Sequence, residues 1–234
     1  MKKIALSLIV SASLLSCQSK IEGEGMANIE QTFAVDVFEQ LSIDCHCEVT
    51  LIPSEDAKIV VESHQNIIDN LVFNTKKAAL NINENAQVKK SSLYNVHVYY
   101  SPILHKISLN GKTQLKTAGT LKAEEMTIQL RDASHLTQTF SEIKNLNIEL
   151  ADQSNVQMSG TVIHLKVNAN DESNANLSQL QAVDVEFKTK KSSQLSVYAM
   201  KTLEGKATDN ARVFYSGNPK KNTTEKDQAV IQQK

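Results

Sequence analysis

Short runs in which apolar and polar residues alternate cover most of this chain, and each run stops at turn-forming residues. In one of them, Leu146, Ile148 and Leu150 alternate with polar residues, and residues 152–155 (Asp-Gln-Ser-Asn) separate them from the next run, which begins at Val156. A period of two residues predicts a strand with one buried face. Asp, Ser and Asn favour turns because their side chains bond to nearby backbone groups.

This strand–turn–strand unit returns about every twenty residues in the second half of the chain. The first apolar residue after each turn stands 18 to 21 residues beyond its predecessor, at positions 115, 136, 156, 175, 195 and 213. A near-constant period without a helical pattern is typical of a solenoid. A meander of antiparallel hairpins would also fit the strands, but it gives no reason for Asp-x-Ser to return in phase. The pattern therefore predicts an all-β fold, a single-stranded parallel β-helix with coils of about 20 residues.

The phase of the alternation also predicts which side chains face the core. Ile148, Val167 and Val185 stand mid-strand on the inward face of different coils, whereas Glu149 faces outward. Residues 41–100 alternate less regularly. We expect this part to close one end of the solenoid, because the terminal units of a repeat array need caps.

The first seventeen residues have the features of a bacterial export signal. Lys2 and Lys3 precede an apolar stretch, residues 4–15, that is too short to span a bilayer. The stretch ends in "LLSC", which resembles the lipobox of bacterial lipoproteins and implies cleavage before Cys17 and lipidation of that residue. An ordinary secretory signal that ends near a cysteine is the alternative. Gln18 follows the cysteine instead of the Asp that retains lipoproteins in the inner membrane, which favours the outer membrane. Several acyl chains on one molecule would make a stable anchor.

Composition divides the chain into four segments. Residues 1–17 form the lipoprotein signal peptide, and residues 18–32 are small and polar, as in a tether. Residues 33–219 contain the β-helix domain. Residues 220–234 lack a strong periodic pattern and are expected to form a frayed polar tail.

The charge balance and the aromatic content argue against several kinds of partner. The chain has 25 basic and 26 acidic residues, so no excess of charge indicates a nucleic-acid partner. It has no Trp and 5% aromatic residues, which disfavours sites that stack sugars or bases on aromatic rings. No nucleotide-binding loop or serine-hydrolase motif is present, and we expect no cofactor.

Three stretches of the sequence resemble one bacterial family. They are "VTLIPSEDAKIVVES" followed by "LVFNTKKAALNI", the ladder of repeats, and the ending "VFYSGNP". Over roughly residues 33–219 the chain is similar to the auto-transporter adhesins with a head GIN domain, which are common among lipoproteins of Bacteroidota. The resemblance implies a right-handed β-helix and a location in the cell envelope, and it transfers no catalytic residues. Here Asp-x-Ser replaces the Ser-Gly-Ser-Gly that is common at the turns of the family.

A column of aspartates is the sharpest chemical feature of the repeats. If the coils stack, the turn residues Asp132, Asp152, Asp171 and Asp209 line one edge, and Lys191 interrupts them. Such a column would suit a calcium ladder or the acid–base pair of a polysaccharide-active enzyme. The preferred interpretation is turn capping, because no Asp-x-Asp cluster adds further carboxylates to the column.

The segment "DCHCE" allows three states of its cysteines. Cys45 and Cys47 fall in phase with the apolar residues around them, which favours two buried free thiols. A disulfide and a metal site are the alternatives. The six histidines do not form metal-binding pairs and are expected to be scattered over the surface, with His97 facing solvent.

Three functions remain open at this point. The preferred one is a lipid-anchored envelope protein without catalytic activity that binds, adheres or has a structural role. Its expected partners are the membrane, through the lipid on Cys17, and an envelope protein or a glycan. The alternatives are a periplasmic sensory or regulatory partner of a membrane protein, and a polysaccharide-active β-helix enzyme.

Overall fold

A computed structural model describes residues 19–234, so the predicted lipidation site at Cys17 lies outside the described residues. The described part forms nineteen strands and one short helix. The first elements are β1 (Lys20–Glu22), β2 (Ile29–Ala34), β3 (Gln40–Cys45), β4 (Glu48–Pro53), β5 (Lys58–Ser63), α1 (Gln65–Ile68), β6 (Leu71–Lys76), β7 (Ala79–Glu84), β8 (Gln87–Lys90) and β9 (Tyr94–Tyr100). The remaining strands are β10 (Lys106–Gly111), β11 (Gln114–Thr117), β12 (Leu121–Leu130), β13 (His135–Leu150), β14 (Asn155–Ala169), β15 (Asn174–Thr189), β16 (Gln194–Ala207), β17 (Arg212–Ser216), β18 (Lys220–Glu225) and β19 (Val230–Gln233). Within residues 19–234, no helix has the length and apolarity needed to cross a membrane.

From β10 onward the chain winds in parallel coils that are about 20 residues apart. Each long strand pairs in parallel with the next, and the pairing of β13 with β14 runs in three stretches, 135–138, 141–143 and 145–150. The coil bends sharply at Gly160, whose φ is +116° and where a Cβ atom would collide with the backbone of Ser141. Parallel neighbours confirm the predicted β-solenoid, which makes about six turns, and exclude the hairpin meander.

Equivalent side chains stack in columns inside the coil. Ile128, Ile148, Val167 and Phe187 are register partners in successive coils, and each is 0% exposed. Val185 is 2% exposed and belongs to the neighbouring column. The predicted inward positions are therefore confirmed. Burying one such side chain contributes roughly 1.5–3 kcal/mol, so the columns supply much of the stability.

The N-terminal strands close one end of the coil, as predicted. β3 and β4 stack in parallel on β10 and β11, and β7 and β9 stack on the other side of β3 and β4. Antiparallel strands follow at the outside, with β6 on β7, β5 on β9 and β2 on β5. Phe33 of β2 and Phe73 of β6 pack with their ring centroids 4.7 Å apart, and both contact the core at this end.

Residues 18–32 were expected to form a tether, but the described part of this segment, from residue 19, contributes β1 and most of β2. β1 pairs in parallel with β8, and β2 forms an antiparallel ladder with β5. The prediction of a tether relied on the small and polar side chains of this segment. Its backbone, however, pairs with the free edges of β8 and β5, and those hydrogen bonds do not depend on apolar side chains.

The expected frayed tail, residues 220–234, instead forms another coil. β18 stacks on β16, and β19 stacks on β17. Lys221 lies over the ring of Tyr215, with its Nζ 5.2 Å from the ring centroid. The prediction was wrong because the edge of the preceding coil offers free backbone groups that a polar segment can pair with.

Candidate functional site

The aspartate column marks one corner of the coil, and every member has a left-handed backbone. Asp132, Asp152, Asp171 and Asp209 have φ between 57° and 62°. Asp and Asn accept this conformation more easily than other residues with a side chain, because their short polar groups bond locally. The corner column continues with these further residues of positive φ: Gly111, Lys191 and Asp227.

The aspartate side chains tie each corner to the corner of the preceding coil. The backbone N–H of Gly111 donates to Asp132 Oδ2 at 2.9 Å, and that of Asp132 donates to Asp152 Oδ2 at 3.2 Å. The N–H of Lys191 donates in the same way to Asp209 Oδ2, at 3.1 Å. These bonds support the capping interpretation over a calcium ladder or an acid–base pair. Among residues 19–234, no group of three His, Cys, Asp or Glu residues is arranged to hold a metal ion.

Lys191 places a cation inside this column. Its ammonium group donates a hydrogen bond to Asp171 Oδ1. That bond lowers the pKa of Asp171 and raises the pKa of Lys191. The pKa of Asp209 is lowered chiefly by the hydrogen bond from the backbone of Lys191, and then by the hydroxyl of Thr208.

The two cysteines occupy the same corner in the first coil. In the parallel ladders, Gly111 is the partner of Cys45, and Gln114 is the partner of Glu48. Cys45-His46-Cys47 therefore stands where later coils have Asp-x-Ser.

The cysteine side chains are buried, as predicted, but they form a disulfide rather than two free thiols. The prediction relied on the phase of the apolar residues, and in a fully extended strand the two Cα atoms would lie roughly 6.8 Å apart, at the edge of disulfide reach. The corner between β3 and β4 brings them to 5.4 Å, which is within disulfide reach.

A buried carboxylate organises the polar groups next to this corner. Glu84 accepts hydrogen bonds from the backbone N–H of His46 at 2.9 Å and from the hydroxyl of Tyr94 at 2.9 Å. Burial, and then the charge of Glu84, raise the pKa of Tyr94 above its usual range. Burial also raises the pKa of Asp44, and the carboxylates of Asp132 and Glu84 add to this effect. Glu84, the backbone N–H of His46 and the hydroxyl of Tyr94 therefore satisfy one another's hydrogen bonds at this corner.

A groove on the outer face of the coils is the best candidate for a binding surface. Its first part has a volume of about 470 Å³ and is lined by five consecutive strands, β12 to β16. Because the coils are in register, its outward residues form two rows, Glu125, Asn145, His164, Asp184 and Thr202, and then Thr127, Asn147, Lys166, Glu186 and Glu204.

Two further rows of the same face line a second part of the groove, with a volume of about 350 Å³. These rows are Gln129, Glu149, Asn168 and Lys188, and then Arg131, Ala151, Asn170 and Lys190. The first part carries most of the acidic groups and the second part most of the basic ones. The groove is therefore polar, with opposite charges towards its two sides.

Contacts between neighbouring coils hold the side chains of the groove in place. Lys166 and Glu186 form an ion pair of 2.9 Å. Asp184 lies 3.4 Å from His164 and accepts a hydrogen bond of 2.6 Å from Thr202. Exposed ion pairs of this kind contribute little to stability, about 0–1 kcal/mol each, but they fix the positions of the groups.

The groove was not predicted from the sequence, although a signal for it exists. Its four rows consist of the outward residues one, three, five and seven positions before each corner residue, repeated with the period of about twenty. The prediction considered only the column of corner aspartates and did not align the outward residues of successive strands.

All six histidines were expected on the surface, but His64 and His97 are at least partly buried. His64 is 6% exposed and bonds to the hydroxyl of Ser92 at 3.0 Å. The Nδ1 atom of His97 is buried, because β4 and β5 flank its strand on both sides. His164 alone lies in the groove.

Comparisons with known proteins agree with this architecture. The sequence profile of the family described as "Putative auto-transporter adhesin, head GIN domain" matches residues 37–219. The chain belongs to this family. The match ends before the last coil, so β18 and β19 lie beyond the family profile. No curated protein matches the chain significantly.

Several solved structures share the fold of this head GIN protein. A "putative adhesin" from Bacteroides fragilis NCTC 9343 superposes with a TM-score of 0.83 at 15% identity, over 91% of this chain and 98% of that one. A "Putative lipid binding protein" from Parabacteroides distasonis ATCC 8503 has a TM-score of 0.70 at 16% identity, over 92% and 99% of the two chains. At this identity the likeness concerns the fold alone.

Proposed function

We propose that this head GIN protein is a lipid-anchored protein of the cell envelope with a non-enzymatic binding or adhesive role, and that the groove is its binding surface. The observation that carries the proposal is the groove itself, with polar rows that run across five coils of a family described as adhesins. A rigid coil presents such rows at a fixed spacing of roughly 4.8 Å. An extended ligand with repeated polar groups would match that spacing.

The chemistry of the groove suits a ligand rich in hydroxyl or amide groups. Asn145, Asn147, Asn168 and Asn170 each offer both a donor and an acceptor. A glycan or an extended segment of an envelope protein carries hydroxyl or amide groups that can pair with such side chains.

The carboxylates of the groove argue against the alternative of a polysaccharide-active enzyme. A glycoside hydrolase needs two carboxyl groups that face each other across the scissile bond. Here Glu186 is paired with Lys166, and Asp184 is held by His164 and Thr202. These carboxylates serve as contacts between coils, which supports binding rather than hydrolysis.

The anchor part of the proposal rests on "LLSC" and Cys17. Acylation of Cys17 would hold the protein on a membrane, with the outer membrane favoured by Gln18. Cells grown with a palmitate analogue should label the protein, and Cys17→Ala should remove the label. A label that survives the substitution would show that Cys17 is not the anchor.

The binding part is tested by changing one groove residue and one matched residue elsewhere. Asn168→Arg places a bulky cation in the second part of the groove, while Asn174→Arg makes the same change on an exposed position of another face. We expect binding to arrayed envelope glycans and to purified envelope proteins to be lost in the first variant only. Equal binding by both variants would exclude the groove as the binding surface.

A further inference from the structure

The ordered strand β1 brings the anchor very close to the body of the protein. Ser19 already accepts a hydrogen bond of 3.0 Å from the N–H of Gln87, and Gly23 donates one of 2.9 Å to Lys90 O. Only residue 18 separates Cys17 from Ser19. Because each residue spans at most about 3.6 Å, the Cα atom of Cys17 lies within about 7 Å of that of Ser19. A lipid on Cys17 would therefore hold this side of the coil against the membrane surface.

Basic side chains cluster at the same place. Beside β8, a pocket with a volume of about 520 Å³ is lined by Lys89, Lys90 and Lys112 together with hydroxyl groups and the corner residue His46. Lys20 is the register partner of Gln87 in the adjacent strand. This local concentration contrasts with the whole chain, whose formal charge is −1.

Most of these lysines are free to meet an external anion. Lys89 pairs with Glu22 at 3.2 Å. Lys20, Lys90 and Lys112 are exposed and make no ion pair within the described part of the chain. Three acidic neighbours lie in the same area. Glu22 is paired with Lys89, Glu84 is held by His46 and Tyr94, and Glu48 lines the pocket.

An exposed apolar side chain lies in the same segment. Met26 follows β1 by four residues and is 72% exposed, more than any other large hydrophobic residue in the described range. Residues 23–25 join Met26 to β1, so its apolar side chain is available to enter the acyl boundary if this segment meets the bilayer.

We propose that this end of the coil docks on the membrane that holds the Cys17 lipid, with Lys20, Lys90 and Lys112 bound to anionic phosphate headgroups. The inference rests on the proposed anchor, which determines which surface the lysines meet. Docking would fix the orientation of the coil, so that the groove is held at a defined distance from the membrane instead of swinging on a flexible tether.

The test uses the chain from residue 17 onward with Cys17→Ser, which keeps every described residue and removes the lipid. Sedimentation with vesicles of phosphatidylglycerol and phosphatidylcholine in equal parts should show binding that weakens with salt, and vesicles of phosphatidylcholine alone should bind little. Each lysine near an anionic surface contributes about 1 kcal/mol, so the combined variant Lys20→Gln, Lys90→Gln, Lys112→Gln should bind roughly 100-fold more weakly.

The matched control removes the same charge from exposed lysines elsewhere, in the combined variant Lys116→Gln, Lys201→Gln, Lys226→Gln. It should bind like the parent chain. An equal loss in the control, or no binding of the parent chain to anionic vesicles, would overturn the docking inference. Palmitate labelling of Cys17 is read separately. A labelled protein without vesicle binding would contradict docking alone, and an unlabelled protein with vesicle binding would contradict the anchor alone.

Discussion

At the corner of each coil, one backbone angle restricts which residues can be used. The corner residues have a left-handed φ near 60°, and the aspartates among them use a side-chain oxygen to accept the N–H of the corner residue in the preceding coil. Two requirements therefore meet in one residue, a tolerated φ and an acceptor of the right length. Asp meets both, Asn can meet both, and Ala meets neither.

Substitution at Asp132 separates these requirements. Asp132→Ala removes the acceptor for the N–H of Gly111 and adds left-handed strain, so we expect a loss of about 1–3 kcal/mol in the free energy of unfolding. Asp132→Asn keeps an oxygen acceptor and should cost much less. Urea unfolding of both variants measures the difference, and equal stabilities would mean that the cap does not matter.

The cation in the column gives a prediction about pH. The hydrogen bond from Lys191 lowers the pKa of Asp171, so this pair stabilises the fold above the ordinary pKa of aspartate and loses the effect as the pH falls through the lowered pKa. In Lys191→Gln, NMR titration should show the pKa of Asp171 moving up towards its ordinary value. The pKa of Asp209 should move less, because its main cause is the backbone N–H of residue 191, which remains. Equal movements would contradict this assignment of causes.

At the scale of the element, the alternation within one strand decides what each substitution costs. In β13, Ile148 is 0% exposed, while its neighbour Glu149 is half-buried on the outer face and accepts a hydrogen bond of 2.7 Å from Gln129. Adjacent positions thus belong to different environments, one dry and one facing the groove.

Charge substitutions in β13 should reveal this phase. Ile148→Asp buries a carboxylate without a partner and should cost about 3 kcal/mol or more. Glu149→Lys loses a half-buried hydrogen bond with Gln129 on the outer face and should cost about 1 kcal/mol. Thermal unfolding of the two variants provides the comparison, and similar losses would show that the strand is in the opposite phase.

The corner between β3 and β4 has its own test. Because Cys45 and Cys47 form a disulfide, the mature protein unfolded without reductant should take up no alkylating reagent at either cysteine. Reductant added before the reagent should expose both thiols, as mass spectrometry of the peptide shows. Labelling of both cysteines without reductant would restore the two free thiols that the sequence favoured.

At the scale of the whole molecule, the coil has two ends that must be covered. Antiparallel strands and the Phe33–Phe73 pair close the N-terminal end, and the coil formed by β18 and β19 covers the C-terminal one. The last coil is polar on its outside, which limits edge-to-edge association. It also contributes Ala229, which is 8% exposed and packs against the core.

Removal of the last coil should therefore destabilise the molecule. A chain that ends at residue 219 exposes the edges of β16 and β17, and we expect a lower melting temperature and association of chains through these edges. Lys226→Gln, a change at an exposed corner of the same coil, serves as the control. A truncated chain that is monomeric and melts like the parent would mean that residues 220–234 do not act as a cap.

Much of the fold was predictable from the sequence, because a coil repeats its environment. The inward positions of Ile148 and Val167 and the corner role of Asp132 follow from period and phase alone. The groove was less predictable, since its rows arise only when asparagines from separate coils are aligned. The strands within residues 19–32 and 220–234 were not predicted. These segments lack an apolar pattern, and they become strands only by pairing with the free edges of other strands.

The sequence by itself therefore determined the parallel coil, its step of about twenty residues and its buried columns, because alternation and turn chemistry act over a few neighbouring residues. Only the tertiary structure decided the rest: the disulfide, the groove, and the pairing of β1 with β8. The groove and the pairing of β1 depend on where distant segments meet, and the disulfide depends on the bend between β3 and β4. The corner brings Cys45 to Cys47, the register aligns the groove rows, and β8 holds β1, and no local pattern encodes those contacts.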